Sequence, residues 1–305
     1  MKRVLFIVGP TAVGKTEVAL ELADSMHAEI VSCDSRQVYR FMDIGTAKPT
    51  ADQLSRIPHH FIDIKDPNET YSAGEYGADA REAIEAFFSQ GKTPIVVGGS
   101  GLYIRALVDG LFGPKISDPA VKNELRARLD DVGLRALFQE LHKIDPVTAA
   151  RLHATDSQRI LRALEVFQIT GRPFSEYLRK KTVPANFEPF FVGLTLARER
   201  LYAKIESRVE HMLELGLIDE VKGLLNKGYG AHLTALQSVG YKEAIRFLND
   251  ELTYKETTDL IKQKTRNYAK RQFTWFRKDM RITWYDVDSF AKTTNLVSLI
   301  LREFR

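Results

Sequence analysis

Residues 9–16 read GPTAVGKT, directly after the apolar run Val4 to Val8 and directly before Glu17 to Met26, where Val18, Ala19, Leu22 and Met26 recur on one helical face. Gly9, Gly14, Lys15 and Thr16 satisfy the pattern G-x-x-x-x-G-K-[ST], with Pro10, Thr11, Ala12 and Val13 between them. Glycines allow the tight turn that points successive N–H groups at phosphate oxygens, and the following helix N-terminus adds partial positive charge. Lys15 would reach the terminal phosphates, and the Thr16 hydroxyl would meet Mg²⁺ or a phosphate oxygen. A strand, a phosphate loop and a helix in this order predict an α/β fold, a P-loop NTPase-like parallel sheet flanked by helices.

Outward from that loop, Glu29 to Cys33, His60 to Ile64 and Thr93 to Val97 read as further strands, and Gly74 to Ser89 as a helix. The pattern changes near Gly113-Pro114. From Pro119 to about Leu178 it is helical, broken at Gly133, at Asp145-Pro146 and at Gly171-Arg172-Pro173. Phe190 to Leu196 reads as a strand again, followed by helical stretches at Ala197 to Leu215, Ile218 to Lys227 and Lys255 to Met280. The expected organisation is a core of residues 1–113 and 190–305 carrying an all-α insertion, 114–189.

The chain has 305 residues, 44% hydrophobic and 28% charged, with a formal net charge of +4, the balance of a globular protein that could meet a polyanion. No segment is long and apolar enough to ask for lipid, and Val4 to Val8 is too short for a signal peptide's apolar region. A cytoplasmic protein without a membrane partner, acting as a monomer, is expected. The single cysteine, Cys33, excludes an internal disulfide and reads as core within its strand.

Ligands of doubly wound sheets collect beyond the carboxyl ends of the strands, so the residues following each strand are candidates. Asp34-Ser35-Arg36-Gln37 is one such segment. Its aspartate could bind Mg²⁺, accept a proton from a nucleophile, or cap its own turn. GGSGLY, residues 98–103, reads either as a backbone-lined site or as a plain turn. The adjacent His59 and His60 would face opposite sides of a strand, which favours structural roles.

Lys262 to Arg281 holds eight Lys or Arg against one acid, Asp279. On a helical wheel Ile261, Tyr268 and Trp275 form an inward seam flanked by Lys264, Arg271 and Lys278, with Arg266, Lys270 and Arg277 opposite. Such a one-sign face suits a nucleic-acid backbone, a solvated surface being the alternative. Arg151, His153, Arg159 and Arg162 form a second basic set inside the insertion.

GPTAVGKT, DSRQVYRFMDIGTAKP (34–49), PHHFIDIKDP (58–67), GGSGLY, DSQRILRALEV (156–166), VGYKEA (239–244) and YAKRQFTWFR (268–277) together resemble the bacterial tRNA dimethylallyltransferases, in order and through nearly the whole chain. The resemblance implies transfer of a dimethylallyl group from dimethylallyl diphosphate to the exocyclic amine of the adenosine 3′ to the anticodon, with Mg²⁺ as cofactor and the tRNA anticodon stem-loop as partner. Under that resemblance Asp34 is the general base, Thr16 contacts the diphosphate, and Arg208 in ESRVEHML is the diphosphate-contacting arginine. Asp34, Ser35, Arg36 and Gln37, with Ser100, Gln158, Arg159, Arg162, Gln237, Gly240 and Tyr241, correspond to tRNA-contacting positions, and Ser100 keeps the hydroxyl of a more usual threonine. A P-loop small-molecule kinase or an adenylate prenyltransferase would share the phosphate loop, but neither calls for the basic C-terminal helix.

Overall fold

The computed structural model describes residues 2–111, 116–178 and 182–304. Six strands form one sheet: β1 (Arg3–Val8), β2 (Ile30–Ser32), β3 (His59–His60), β4 (Ile95–Gly98), β5 (Glu188–Thr195) and β6 (Ile282–Asp286), in the spatial order β3-β2-β4-β1-β5-β6. Every pairing is parallel, with Val8 of β1 opposite Gly98 on one side and Gly193 on the other. Val4 to Val8 are wholly buried, as expected of a strand covered on both faces. Each large apolar side chain placed there contributes about 1.5–3 kcal/mol. The order reverses at β1, so the open crevice of the sheet lies at its carboxyl end.

The helices of this body follow from the same local chemistry. Helix α1 (Lys15–Met26) buries Val18, Ala19, Leu20, Leu22 and Ala23, and Met26 packs at the edge of that core. Helices α2 (Ala51–Arg56) and α3 (Ala73–Ser89) each open with a full capping box, Thr50 with Gln53 and Ser72 with Glu75. Helix α4 (Gly101–Val108) grows directly out of the glycine turn after β4.

Residues 109–184 form a separate compact unit, whose described elements are the helices α5 (Pro119–Ile144), α6 (Pro146–Ala149), α7 (Ser157–Thr170) and α8 (Phe174–Leu178). The three breaks expected from sequence fall where the chain leaves helical geometry: Gly133 has φ 78° inside α5, Asp145 caps α6, and Gly171 ends α7 in the left-handed region. Leu125, Leu137, Leu141, Ile160 and Leu164 make its core. The sheet-bearing unit is 1–108 with 185–305, and the Ala185 N–H donates to the Val108 carbonyl at 2.8 Å. That bond ties the chain to the sheet unit before β5 begins, whereas the expected boundary at Gly113-Pro114 lies outside the described residues.

The remaining helices are α9 (Arg198–Glu214), α10 (Leu217–Asn226), α11 (Tyr241–Leu248), α12 (Tyr254–Phe276) and α13 (Thr293–Phe304). Thr253 and Glu256 form the capping box that starts α12. Two expectations change. The strand expected at His60 to Ile64 is only His59–His60, because Phe61 and Asp63 adopt φ of 65° and 56°, which ends an extended strand. The sheet also gains β6, and α13 packs beside α1, neither of which the sequence reading assigned.

Candidate active site

Gly9 sits at φ 144°, and a Cβ on it would lie 2.6 Å from the Leu194 carbonyl oxygen of β5, so only glycine lets the loop leave the sheet there. Gly14 takes the left-handed N-cap position of α1 at φ 105°, and Ala12 also has positive φ, 65°. Within this wrapped loop the Lys15 ammonium donates to its own loop carbonyls, Gly9 at 3.1 Å and Pro10 at 2.8 Å. Burial and the neighbouring Arg208 guanidinium push its pKa down to about 7, with Asp34 pulling in the opposite direction. Arg208, on α9, donates to the Thr11 hydroxyl at 3.3 Å, and burial lowers its own pKa. The result is a crowded cationic pocket at the carboxyl end of β1, a place that favours a polyanion. Thr16 is exposed at the first turn of α1.

Asp34 to Gln37 follow β2 and are half-buried. The Asp34 Oδ1 accepts the Arg36 N–H at 2.8 Å, so the turn-cap role is real and holds this carboxylate on its own turn. The turn is anchored across the crevice. Ser35 N–H donates to Ser100 Oγ at 2.9 Å, Ser100 N–H donates to the Cys33 carbonyl at 3.3 Å, and Arg36 donates to the Thr234 carbonyl at 2.9 Å. Gln37 is used internally: its carbonyl accepts from Ser32 Oγ and its amide donates to the Thr46 and Ala47 carbonyls. Tyr268 of α12 lines the same place; burial and the Asp34 charge hold its phenol above the ordinary tyrosine range, and it hydrogen-bonds Ser100.

The glycines of GGSGLY are required by packing. A Cβ on Gly98 would meet the Cys33 carbonyl oxygen at 2.0 Å, one on Gly99 the Gln272 amide nitrogen at 2.2 Å, and one on Gly101 the Trp275 ring at 2.2 Å. Helix α12 is thereby pressed onto the turn. Cys33 is buried, with its thiol pushed far up by burial, which suits a core residue. His59 bonds the Ile57 carbonyl and His60 bonds Glu29, both structural. His59 also lines a small pocket with Thr16, Ser32, Gln37 and Val97.

The basic helix divides differently from the wheel. Ile261 is buried and Tyr268 half-buried, but Trp275 is 39% exposed and packs against the Gly101 turn at the rim rather than entering the core. Lys264, Arg271 and Lys278 are exposed, whereas Lys262 and Arg266 pair with Glu210 and Glu206 of α9.

Gln237 is exposed, its amide donating to the Ala231 carbonyl. Tyr241, expected at a nucleic-acid surface, is instead wholly buried. Its hydroxyl donates to Glu220 at 2.5 Å, and the same carboxylate accepts the N–H groups of Asp43, Ile44 and Gly45. Gly240 is buried too, with its N–H given to Glu243. In the helical unit Gln158 and Arg159 are exposed on α7, Arg159 paired with Asp156, while Arg162 donates to Glu165 and to the Ile116 carbonyl.

Gln272, absent from the candidates drawn from sequence, is 5% exposed and bonds two loops of the site. Its signal was its place four residues after Tyr268, on the inward seam of a helix whose outer face is cationic.

A family model described as IPP transferase matches residues 37–279. The chain is 43% identical to a tRNA dimethylallyltransferase of Alkaliphilus oremlandii over 100% of this chain and 97% of that one. It is 47% identical to tRNA dimethylallyltransferase 2 of Geotalea uraniireducens, over 97% and 96%. Among solved structures it is similar to a full-length tRNA isopentenylpyrophosphate transferase from Bacillus halodurans, with TM-score 0.73 and 38% identity over 100% of this chain and 97% of that one. A eukaryotic dimethylallyltransferase acting on tRNA aligns with TM-score 0.78 and 30% identity over 94% of this chain and 74% of the other.

Proposed function

The chain belongs to the IPP transferase family, and from that premise we infer that it transfers a dimethylallyl group from dimethylallyl diphosphate to the exocyclic amine of the adenosine 3′ to the anticodon in tRNA, releasing diphosphate. The observation that carries this reading is the meeting of two chemistries at one place: Lys15 of the phosphate loop with Arg208 of α9 bonded to that loop, and Asp34 close enough for its charge to act on Lys15. A kinase reading explains the loop but leaves the exposed cations of α12 without use.

In the reaction the nitrogen lone pair forms a bond to the allylic carbon as the carbon–oxygen bond to diphosphate breaks. Backbone N–H groups of residues 12–16, with Lys15 and Arg208, are proposed to stabilise the charge that grows on the departing oxygens. Asp34 is proposed as the general base. Its Oδ1 is occupied by Arg36, so Oδ2 would take the amine proton as the bond forms, which overcomes the weak nucleophilicity of a ring-conjugated amine. Ser100 and Ser35 hold that carboxylate's turn in place.

Among the described residues no group of three or more His, Cys, Asp or Glu is arranged to hold a metal ion. The Thr16 hydroxyl, with diphosphate oxygens and water, would hold a Mg²⁺ ion, the usual manner of a reluctantly dehydrated ion. When bound, it would add charge neutralisation to the leaving group.

For the acceptor, Lys264, Arg271 and Lys278 are proposed to hold phosphates, with Ser35, Arg36, Ser100 and Gln237 nearer the base. Gln158, Arg159 and Arg162 are proposed contacts of the helical unit. An unstacked loop base costs less to extrude than one in duplex. No described helix is long and apolar enough to cross a membrane. The test is incubation with labelled dimethylallyl diphosphate and unmodified tRNA, followed by nucleoside analysis. Label in the adenosine fraction supports the reading, whereas ATP turnover without label transfer favours a kinase.

A further inference from the structure

Gln272 sits midway along one continuous series of contacts. Arg208 donates to Thr11 Oγ1 at 3.3 Å, and the Thr11 N–H donates to Gln272 Oε1 at 2.8 Å. On its other side Gln272 Nε2 donates to the Gly99 carbonyl at 3.0 Å. The next residue, Ser100, accepts from Ser35 N–H at 2.9 Å, and Ser35 adjoins Asp34. The leaving-group loop and the general-base turn come from different strands, β1 and β2, and the turn after β4 lies between them in the sheet. One amide side chain therefore bonds both the phosphate loop and the turn that carries the Asp34 anchor.

The site is built tightly around this amide. A Cβ at Gly99 would stand 2.2 Å from Nε2, so the carbonyl-to-amide approach needs glycine there. The side chain is nearly sealed from water, and its two polar ends find complementary partners; an apolar residue in its place would leave the Thr11 N–H and the Gly99 carbonyl without it. The Thr11 N–H is thus turned to Gln272 rather than to a bound phosphate, and this bond fixes where the loop's following N–H groups stand. Setting its orientation sets the cradle.

We propose that Gln272 is a positioning residue for the alkyl transfer, fixing the phosphate loop against the Asp34 turn so that the leaving diphosphate and the incoming amine line up. The inference rests on the prenyl-transfer reading for its kinetic consequence, but the loop geometry is testable without it. An inward amide on α12, whose outer face bears Arg271 on the adjacent residue, also means that a shift of this helix moves both halves of the site together.

The test uses the full chain with Gln272→Leu and Gln272→Glu. Leucine removes both bonds, and calorimetry with inorganic diphosphate is expected to show affinity about tenfold weaker. The same variant should lower kcat by a larger factor, with tRNA affinity in a filter-binding assay within about twofold of wild type. Glutamate keeps an acceptor for Thr11 but donates to the Gly99 carbonyl only when protonated. Its kcat relative to wild type should therefore rise as pH falls from about 8 to about 6, the window in which a buried carboxyl beside a carbonyl regains its proton. A residue that only stabilised the fold would show this pH dependence in melting temperature and not in the kcat of the folded enzyme. Should Gln272→Leu fail to fold, the pH profile of Gln272→Glu decides alone. A flat ratio overturns the proposal, as do a leucine variant's kcat and diphosphate affinity within about twofold of wild type. If wild type labels no tRNA, the prenyl-transfer reading fails, and unchanged diphosphate affinity in the leucine variant would separately remove the loop-setting role.

Discussion

Lys15 offers the sharpest quantitative expectation. In the empty protein its pKa is about 7, because burial and Arg208 oppose the ammonium more strongly than Asp34 favours it. A diphosphate placed at the loop adds several negative charges beside the amine and draws its pKa back up. Binding must then take up a proton wherever the empty site is deprotonated. At pH 8 only about one tenth of empty Lys15 carries its proton, so uptake approaches one proton per ligand, and affinity falls about tenfold for each pH unit above 7. At pH 6 the uptake from this group vanishes. The ligand's own phosphate groups titrate in the same region, so the control is Lys15→Arg, whose guanidinium stays charged throughout. Calorimetry in buffers of different ionisation enthalpy counts the protons. The wild-type minus Lys15→Arg difference should be near one at pH 8 and near zero at pH 6, and Asp34→Asn should move the transition to lower pH by removing a negative charge that raises the Lys15 pKa. For folding the sign is opposite. The folded pKa lies below the ordinary 10.5, so from pH 7 to 10.5 the unfolded chain binds more protons and the empty protein gains stability from this group as pH rises. An uptake difference that does not change with pH would refute the crowding argument.

Asp34→Ala should lower single-turnover transfer by about 10²–10⁴ while tRNA binding persists; lost binding with normal turnover on bound tRNA would contradict the general-base role. Gly101→Ala should destabilise the fold by about 1–3 kcal/mol, since its Cβ would stand 2.2 Å from the Trp275 ring. Adding Trp275→Ala should recover part of that loss in denaturant melts, and simple additivity would show that the ring is not the obstacle. Neutralising Lys264, Arg271 and Lys278 together should weaken tRNA binding and reduce the slope of log affinity against log salt by about 0.7–0.9 per lost phosphate contact, whereas an unchanged slope would move the tRNA surface elsewhere.

Local patterns carried much of this protein into view. The glycine spacing, Lys15 and Thr16 after a fully apolar strand could be read because a phosphate loop is built from consecutive residues. The kinks at Gly133, Asp145 and Gly171 were legible for the same reason, each being a conformational demand of one residue on its own backbone. Strand β6 was not: ITWYD is five residues with mixed exposure, and only pairing with β5 makes it a strand. Nor was β3, shortened by the positive φ of Phe61 and Asp63, a choice that nothing in their side chains announces. Tyr241 was expected at the tRNA surface and Trp275 on the inward seam, yet Glu220 and Gly45 draw the first inside while Gly101 leaves the second at the rim. Sequence alone therefore determined the phosphate loop, the parallel α/β core and the family. Which groups meet across the crevice was decided by tertiary structure, because Thr11, Gly99 and Gln272 lie on separate elements and come within hydrogen-bonding distance only when the sheet and α12 have packed.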